Sequence, residues 1–267
     1  MAGLTALVLA GTRDGGDPLA AAAGVSHKAL IEVGGLTMIE RVVGALAALP
    51  ALGRIVIAIE RPELLDGLSG LQAPVCTKPI VVMAPARGPS ATVAAALQHE
   101  GTPLLVTTAD HALLQSAWIE QFLALCPAGA DLVAALARRD AVEAAAPATR
   151  RTWLRFSDGD FSGCNLFLLA QPAAAGVITL WAELERDRKQ PLRMMRRLGW
   201  ATALRYRLGR LSRAGAAARL GALAGGATLA LVSLSDGRAA IDVDKFDDLV
   251  LARQLAAADV ARAADDA

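Results

Sequence analysis

The sequence predicts an α/β fold of three layers, in which a mostly parallel, twisted sheet lies between two layers of helices. Short apolar runs alternate with longer stretches of helical periodicity over the first half of the chain. The apolar runs are continuous, as in strands that are buried on both faces of a parallel sheet. Polar and glycine-containing loops follow these runs, at the edge where open α/β sheets bind their ligands.

Length and composition are those of one large domain, with 267 residues, 54% hydrophobic and 20% charged. We expect a single domain over residues 1–267, with a basic helical insertion at about 180–222. The net charge of +1 gives no reason to expect specific nucleic-acid binding. Cys76, Cys126 and Cys164 show neither zinc spacing nor a disulfide framework, which indicates buried thiols. Because no secretory leader or spanning segment is evident, we expect a cytoplasmic protein.

The strands and helices follow from the alternation in chain order. Strands are predicted at residues 4–10, 54–60, 80–84, 103–108 and 131–137. Helices are predicted between them at 37–49, 90–99 and 116–125, with Ser90 as the cap of the second. After residue 152 the rhythm changes, with strands at 152–156 and 165–169, helices over 180–220, and a strand at 227–233. Residues 240–243 extend that last strand or pair nearby, and a helix at 246–261 closes the chain.

A glycine loop follows the first strand and suits a polyanion. Gly11 lets the backbone approach a ligand closely, and exposed amides there attract phosphate. Arg13 and Lys28 would neutralise the charge of a triphosphate. The loop lacks the Gly-Lys-Ser/Thr of a Walker A loop and the Gly-x-Gly-x-x-Gly of a dinucleotide site. The alternative is an ordinary turn between a strand and a helix, with surface cations.

Two further segments place carboxylates where they suit a hard cation. Asp110 follows the central strand and suits either a divalent cation that bridges phosphates or a helix cap. His111 beside it suits a structural role better than that of a base. Asp242 and Asp244 would lie on one side of a strand. Two carboxylates so placed repel each other unless a cation or an arginine lies between them.

Together these segments resemble the MobA-like group of nucleotidyltransferases, which have a GT-A, Rossmann-like fold. Five motifs in the family's order carry the resemblance: Leu9-Ala10-Gly11-x-Arg13, Lys28 before an apolar strand, Gly88-Pro89-Ser90-Ala91, Asp110, and Asp242-Val243-Asp244. Two segments depart from the family pattern. The first loop is long and acidic, with a single arginine before Lys28, and the late motif continues as Lys245-Phe246-Asp247-Asp248.

The resemblance implies an enzyme that transfers a nucleoside monophosphate from CTP or GTP to a phosphorylated small molecule and releases pyrophosphate. It implies Mg²⁺ as the cofactor, held by Asp110 and by Asp242 or Asp244. The implied catalytic residues are Asp110, Lys28 at the α-phosphate and Arg13 at the leaving group. The residues implied to contact the nucleotide are Ala10, Gly11, Thr12, Arg13, Lys28, Arg87, Gly88, Ser90 and Asn165.

Two other functions fit parts of the pattern. A GT-A glycosyltransferase would use an Asp-x-Asp to hold the metal of a sugar nucleotide, although that motif normally follows the central strand. A catalytically silent member of the family would sense a nucleotide or act as a membrane-associated regulator.

Residues 188–219 form a basic amphipathic segment that the resemblance does not require. Between Asp187 and Asp236 there are ten arginines and lysines and no acidic residue. Leucines, methionines and a tryptophan interleave with them at helical spacing. Three roles are open: a lid or self-association surface, peripheral contact with anionic lipid at the inner face of the membrane, and recognition of a phosphorylated or nucleic-acid acceptor.

Overall fold

The computed structural model describes residues 3–12, 16–147, 149–187 and 190–265. An eight-stranded sheet lies between two layers of helices, which confirms the predicted fold class. None of the described helices is long and apolar enough to cross a membrane.

Most predicted strands and helices lie close to their expected positions, but the strand expected at 165–169 begins at residue 159, and the short helices at 18–22 and 139–145 are additional. The strands are β1 (Leu4–Leu9), β2 (Glu32–Val33), β3 (Leu36–Thr37), β4 (Leu52–Ala58), β5 (Ile80–Met83), β6 (Leu104–Thr108), β7 (Leu132–Arg138), β8 (Leu154–Phe156), β9 (Gly159–Leu169) and β10 (Leu229–Leu234). The helices are α1 (Pro18–Ala22), α2 (Met38–Ala47), α3 (Pro89–Glu100), α4 (Ser116–Leu125), α5 (Arg139–Ala145), α6 (Ala174–Asp187), α7 (Pro191–Leu198), α8 (Trp200–Arg207), α9 (Arg213–Leu223) and α10 (Phe246–Asp265).

The large sheet has the order β5-β4-β1-β6-β9-β7-β10, with β8 paired to β9, and β2 and β3 form a separate pair. The pairings of β1, β4, β5 and β6, and that of β7 with β10, are parallel. Strand β9 runs antiparallel to β6, β7 and β8. Its amino-terminal half therefore lies at the edge where β6 and β7 end.

The two faces of the sheet carry separate apolar clusters. Successive side chains of a strand point to opposite faces, so β1 contributes Ala6 and Val8 to one cluster and Leu7 to the other. Helix α2 covers the first face and begins with a capping box. Glu40 N donates to Thr37 Oγ1 at 3.3 Å, and Thr37 N donates to Glu40 Oε2 at 3.0 Å.

All three cysteines are free thiols, as their spacing predicts. Cys76 and Cys164 are buried and Cys126 is half-buried. Burial raises the pKa of the Cys126 thiol to about 11, so this thiol stays protonated at neutral pH.

Three local expectations do not hold. Residues 240–243 form no strand, because a 3₁₀ turn spans Gly237–Ala240 and no regular structure follows before α10. Ser90 is not a cap, since α3 begins at Pro89 and its cap residue is Gly88. Asp110 is not a helix cap either, because α4 begins only at Ser116. The other role predicted for Asp110, as a ligand of a divalent cation, therefore stays a prediction.

Candidate active site

The predicted site residues lie at the edge of the sheet where the parallel strands end. Ala10, Gly11 and Thr12 follow β1, and Asp110 follows β6. Residues 84–88 follow β5 and lead into α3. Arg13, the predicted ligand of the leaving group, lies outside the described residues.

Lys28 joins two of the predicted carboxylates. Its Nζ donates to Asp110 Oδ2 at 2.8 Å and to Asp244 Oδ1 at 2.9 Å. A 3₁₀ turn at Lys28–Leu30 positions this lysine, and His27 caps the turn by accepting a hydrogen bond from Ala29 N at Nδ1, at 3.1 Å. The fold thus brings an early, a middle and a late segment of the chain to one ammonium group.

The Lys28 and Asp110 side chains are largely buried, at 16% and 22% exposed. Although burial disfavours the charge of Lys28, the two carboxylates together raise its pKa. Burial raises the pKa of Asp110 against the attraction of Lys28. Asp110 Oδ1 is buried and accepts no hydrogen bond of normal geometry from the described residues, although the nearby Thr108 hydroxyl favours its charged form. This oxygen therefore has lone pairs available to a ligand or a cation.

Asp242 has protein partners on both of its oxygens. Arg151 Nη1 forms an ion pair with Oδ1 at 2.6 Å, and Asn165 Nδ2 donates to Oδ2 at 2.7 Å. Burial acts to raise the pKa of Asp242, but Arg151 and Asn165 outweigh it and lower the pKa. Asp242 is therefore a charged carboxylate that Arg151 already neutralises and that Asn165 helps to orient.

Asn165 reaches Asp242 from an irregular point in β9. The pairing of β7 with β9 shifts register between Ala134 and Leu136, next to this residue. Asn165 has a φ of 46°, in the left-handed region that asparagine tolerates better than most residues. The local backbone thus favours an asparagine here, independently of any ligand.

Asp244 is the exposed member of the cluster, with 67% of its side chain accessible. Its segment is fixed from both sides. Val243 N donates to the Asp110 carbonyl oxygen at 3.0 Å. Asp248, in the first turn of α10, accepts hydrogen bonds at Oδ2 from Asp244 N and Lys245 N, at 3.3 and 3.2 Å. Asp248 therefore acts as a capping residue that holds Asp244 beside Lys28.

Glu60, which no sequence motif indicates, anchors the loop after β1. Thr12 N donates to Glu60 Oε2 at 3.2 Å, and the Thr12 hydroxyl donates to the same carboxylate. His27 Nε2 lies 3.3 Å from Glu60 Oε1. The backbone amide of Thr12, which was expected to face phosphate, thus donates its hydrogen bond to the Glu60 carboxylate instead.

The loop after β5 packs against the loop after β1 and against α6. A Cβ on Gly11 would lie 3.3 Å from Pro85 Cβ, so glycine permits this close approach. Gly88 has a φ of 101°, and a Cβ there would lie 3.1 Å from Glu185 Oε1. Ser90 Oγ donates to Glu185 Oε2 at 2.6 Å, while Arg87 is exposed.

His111 is a buried structural residue, as its neighbourhood predicts. Its ring stacks on Trp118 with 6.3 Å between the ring centroids. Burial lowers the pKa of His111 to about 4, so the ring is neutral at physiological pH.

The structure therefore brings together Lys28, Asp110 and Asp244, and it places Asp242 with Asn165 beside them. Sequence patterns missed Arg151, Glu60 and Glu185. These residues act through partners that are distant in the chain, and no local spacing signals such a contact. The described residues contain no cluster of three or more His, Cys, Asp and Glu side chains that could hold a metal ion by themselves.

Comparison with solved structures finds relatives along nearly the whole chain. A hypothetical transferase from Thermus thermophilus is 32% identical, with a TM-score of 0.77, over 92% of this chain and 98% of its own. The structure of CMP:2-keto-3-deoxy-manno-octonic acid synthetase in complex with CTP is 12% identical, with a TM-score of 0.60, over 97% of this chain and 100% of its own.

A third similar structure is the 4-diphosphocytidyl-2C-methyl-D-erythritol synthase of Anaerococcus prevotii, at 8% identity and a TM-score of 0.57. That match covers 94% of both chains. At such low identities the second and third likenesses concern the fold. No curated protein matches the chain. The family model of the MobA-like NTP transferase domain matches residues 6–222, which is most of the sequence, and the chain therefore belongs to this family.

Proposed function

We propose that the protein is a magnesium-dependent nucleotidyltransferase that transfers a nucleoside monophosphate from CTP or GTP to a phosphorylated small molecule. The observation that carries this proposal is the contact of Lys28 with both Asp110 and Asp244 at the carboxyl edge of the sheet. Membership of the NTP transferase family supports it. A synthetase of similar fold was solved in complex with CTP, which supports a nucleoside triphosphate as the kind of ligand.

The reaction is a displacement at the α-phosphorus. A phosphate oxygen of the acceptor forms a bond to this phosphorus, the bond from phosphorus to the bridging oxygen of the β-phosphate breaks, and pyrophosphate leaves. Such chemistry depends on positioning and charge neutralisation. Because the acceptor phosphate is already ionised at neutral pH, no general base is needed, and the buried, neutral His111 is not required as one.

Lys28 supplies the fixed positive charge of the site. Its raised pKa keeps the ammonium charged at neutral pH. The hydrogen bonds to Asp110 and Asp244 restrict where it can point, so it is preorganised for charge that develops on the α-phosphate. Arg13 remains our candidate for the leaving pyrophosphate.

Asp110 and Asp244 fit the donor set that Mg²⁺ takes in nucleotide enzymes, which is one or two carboxylates together with substrate phosphates. Asp110 has a buried oxygen without a hydrogen bond, and Asp244 is exposed. The Lys28 ammonium contacts both carboxylates, so a positively charged group already lies between them. Asp242 is the weaker candidate, because Arg151 and Asn165 occupy its oxygens. When bound, Mg²⁺ would neutralise the phosphates of the nucleotide.

We assign nucleotide binding to the two loops that meet at Gly11 and Pro85. Ala10 to Thr12 would lie against the nucleotide on one side. Residues 86–90, with the exposed Arg87, would lie on the other. Asn165 would act indirectly, because its amide is engaged by Asp242.

The test is pyrophosphate release from CTP, GTP, UTP and ATP, each with Mg²⁺ and a panel of sugar and polyol phosphates. We expect release with one nucleotide and one acceptor class, and loss of release in Asp110→Asn and Asp244→Asn. Asp247→Asn is the matched control, because it removes another exposed carboxylate, three positions after Asp244 in the chain. Near-wild-type turnover in folded Asp110→Asn would refute the assignment.

The same assay, extended to sugar nucleotides as donors, separates the two alternatives. Consumption of a sugar nucleotide without pyrophosphate release would indicate a glycosyltransferase. Binding of a nucleotide without turnover on any acceptor would indicate a silent sensor, in which Glu60 at the Thr12 amide takes the place of phosphate.

A further inference from the structure

Helix α8 exposes large apolar side chains on a surface that is otherwise basic. Trp200, Leu204 and Leu208 are 59%, 56% and 55% exposed. They recur every fourth residue and so form one stripe along the helix and its cap. No residue of α8 is buried. We call this stripe and the arginines beside it, Arg205 and Arg207, the α8 surface.

The opposite face of α8 holds the helix on the protein. The Tyr206 hydroxyl accepts a hydrogen bond from Arg155 N at 3.2 Å, and its ring meets Phe156 edge-on at 6.1 Å. Ala203 is half-buried on the same face. The exposed stripe is therefore the outer side of a docked helix.

The segment that carries the stripe is rich in positive charge. Arg197 pairs with Glu183 and Asp187, and Arg213 pairs with Asp158. Five other arginines of the segment are exposed and form no ion pair with any described residue: Arg193, Arg196, Arg205, Arg207 and Arg210. No acidic residue lies between positions 187 and 236 to balance them.

We propose that the α8 surface binds the surface of a lipid bilayer that contains anionic lipid. Interfacial helices combine a tryptophan and leucines on one face with arginines at its borders, so that the apolar stripe enters the headgroup region while the cations meet lipid phosphates. On a helical wheel Arg207 and Arg205 lie on either side of the Trp200–Leu204–Leu208 stripe, as this arrangement requires.

Charge and shape disfavour the other occupants. A second copy of the chain in a symmetric dimer would set this basic surface against itself. A nucleic acid would use the arginines but would leave the leucine stripe exposed to water. An anionic bilayer uses both features of the surface.

The first test is co-sedimentation with vesicles of phosphatidylcholine alone or of phosphatidylcholine with phosphatidylglycerol. We expect binding only to the anionic vesicles, with weaker binding as salt rises. Trp200 fluorescence should shift to shorter wavelength on binding, and Trp200→Phe should abolish most of that shift. Binding that is equal on both vesicle types, or absent from both, overturns the proposal.

Two variants separate insertion from simple electrostatic adsorption. Arg205→Gln/Arg207→Gln/Arg210→Gln should weaken partitioning by roughly 100-fold, since each arginine near an anionic surface contributes about fivefold. Leu204→Ser/Leu208→Ser keeps the charge and should still weaken it at least tenfold. Lys78→Gln/Arg150→Gln/Arg253→Gln, which removes three cations elsewhere, is the control and should bind like the wild type.

All variants should keep the wild-type circular dichroism and melting temperature, because none of the substituted side chains is buried or forms an ion pair with a described residue. Retention of binding in the leucine variant would overturn the proposal. Tighter binding to a single-stranded oligonucleotide than to anionic vesicles would overturn it as well. Neither outcome depends on nucleotide transfer, so this proposal and the proposed function fail separately.

Discussion

Arg151 and Asp242 form a largely buried ion pair, with 2.6 Å between Nη1 and Oδ1 and with side chains that are 11% and 14% exposed. The pair joins the connector before β8 to the segment that carries Asp244. Breaking a buried pair is costly, because the remaining charge has neither water nor a partner. The position of Asp244 therefore depends on an arginine that does not touch it.

We expect Arg151→Met to lower the free energy of unfolding by about 3 kcal/mol, since it leaves the Asp242 carboxylate buried and unpaired. Urea unfolding followed by circular dichroism measures this change. The neighbouring Arg150→Met is the control, because Arg150 is exposed, and it should change stability by less than about 0.5 kcal/mol. Adding Asp242→Asn to Arg151→Met should recover part of the loss. Equal stabilities for the two single variants would contradict the role of the pair.

Lys28→Met should reduce pyrophosphate release by at least about 100-fold, because the site loses a preorganised charge. It should also destabilise the fold by about 3 kcal/mol, since Asp110 keeps a buried carboxylate without its partner. Lys28→Met with Asp110→Asn should regain most of the stability and none of the activity. Recovery of activity together with stability in the double variant would contradict the catalytic roles assigned to both Lys28 and Asp110.

Protonation of His27 should destabilise the protein in mild acid. Burial lowers the pKa of His27 below its usual value of about 6.5, against the attraction of Glu60. Between the folded and the unfolded pKa the unfolded chain binds the extra proton, so stability falls as the pH falls from about 6.5. The slope for one histidine is at most about 1.4 kcal/mol per pH unit. A protonated ring could no longer accept the Ala29 hydrogen bond at Nδ1.

Unfolding free energies measured from pH 7.5 to 5.5 check this prediction. His27→Asn should reduce the slope, and His99→Asn, at an exposed histidine, is the control variant. His111, whose pKa burial lowers to about 4, contributes its own slope in every variant. An unchanged slope in His27→Asn would rule out the assigned protonation.

Gly88→Ala should damage the loop after β5. The φ of 101° disfavours any other residue, and the added Cβ would lie 3.1 Å from Glu185 Oε1. We expect a loss of about 1–3 kcal/mol in stability and a raised KM for the nucleotide. Gly67→Ala is the matched control, because no atom lies within 4 Å of its added Cβ. A raised KM in both variants would remove the link to this loop.

The sequence predicts the sheet and most helices because each strand and helix has a periodicity that is visible in a short window. The same rule misleads at residues 240–243. Ile241 and Val243 are buried and alternate with two aspartates, as in a strand. Within the described part of the chain no backbone pairs with this segment as a strand would, and Val243 N instead donates to the carbonyl oxygen of Asp110.

The candidate site is predictable only in part, for a related reason. Lys28, Asp110 and Asp244 follow recognisable apolar runs or precede a helix, so their types and order are visible in the sequence. Arg151 and Glu60 become relevant only through a folded contact with Asp242 and Thr12. Nothing in the neighbouring residues distinguishes them from surface charges.

The contact of Asp244 with Lys28 also sets an order of events during synthesis. Lys28 and Asp110 leave the ribosome with only β1, β4, β5 and β6 of the large sheet, whereas Asp244 and the Asp248 cap follow β10. While Asp244 and α10 are still inside the ribosome, Lys28 therefore has only one of its two carboxylate partners, Asp110. On the proposed function, a growing polypeptide would not consume nucleotide before α10 has docked and Asp244 has met Lys28.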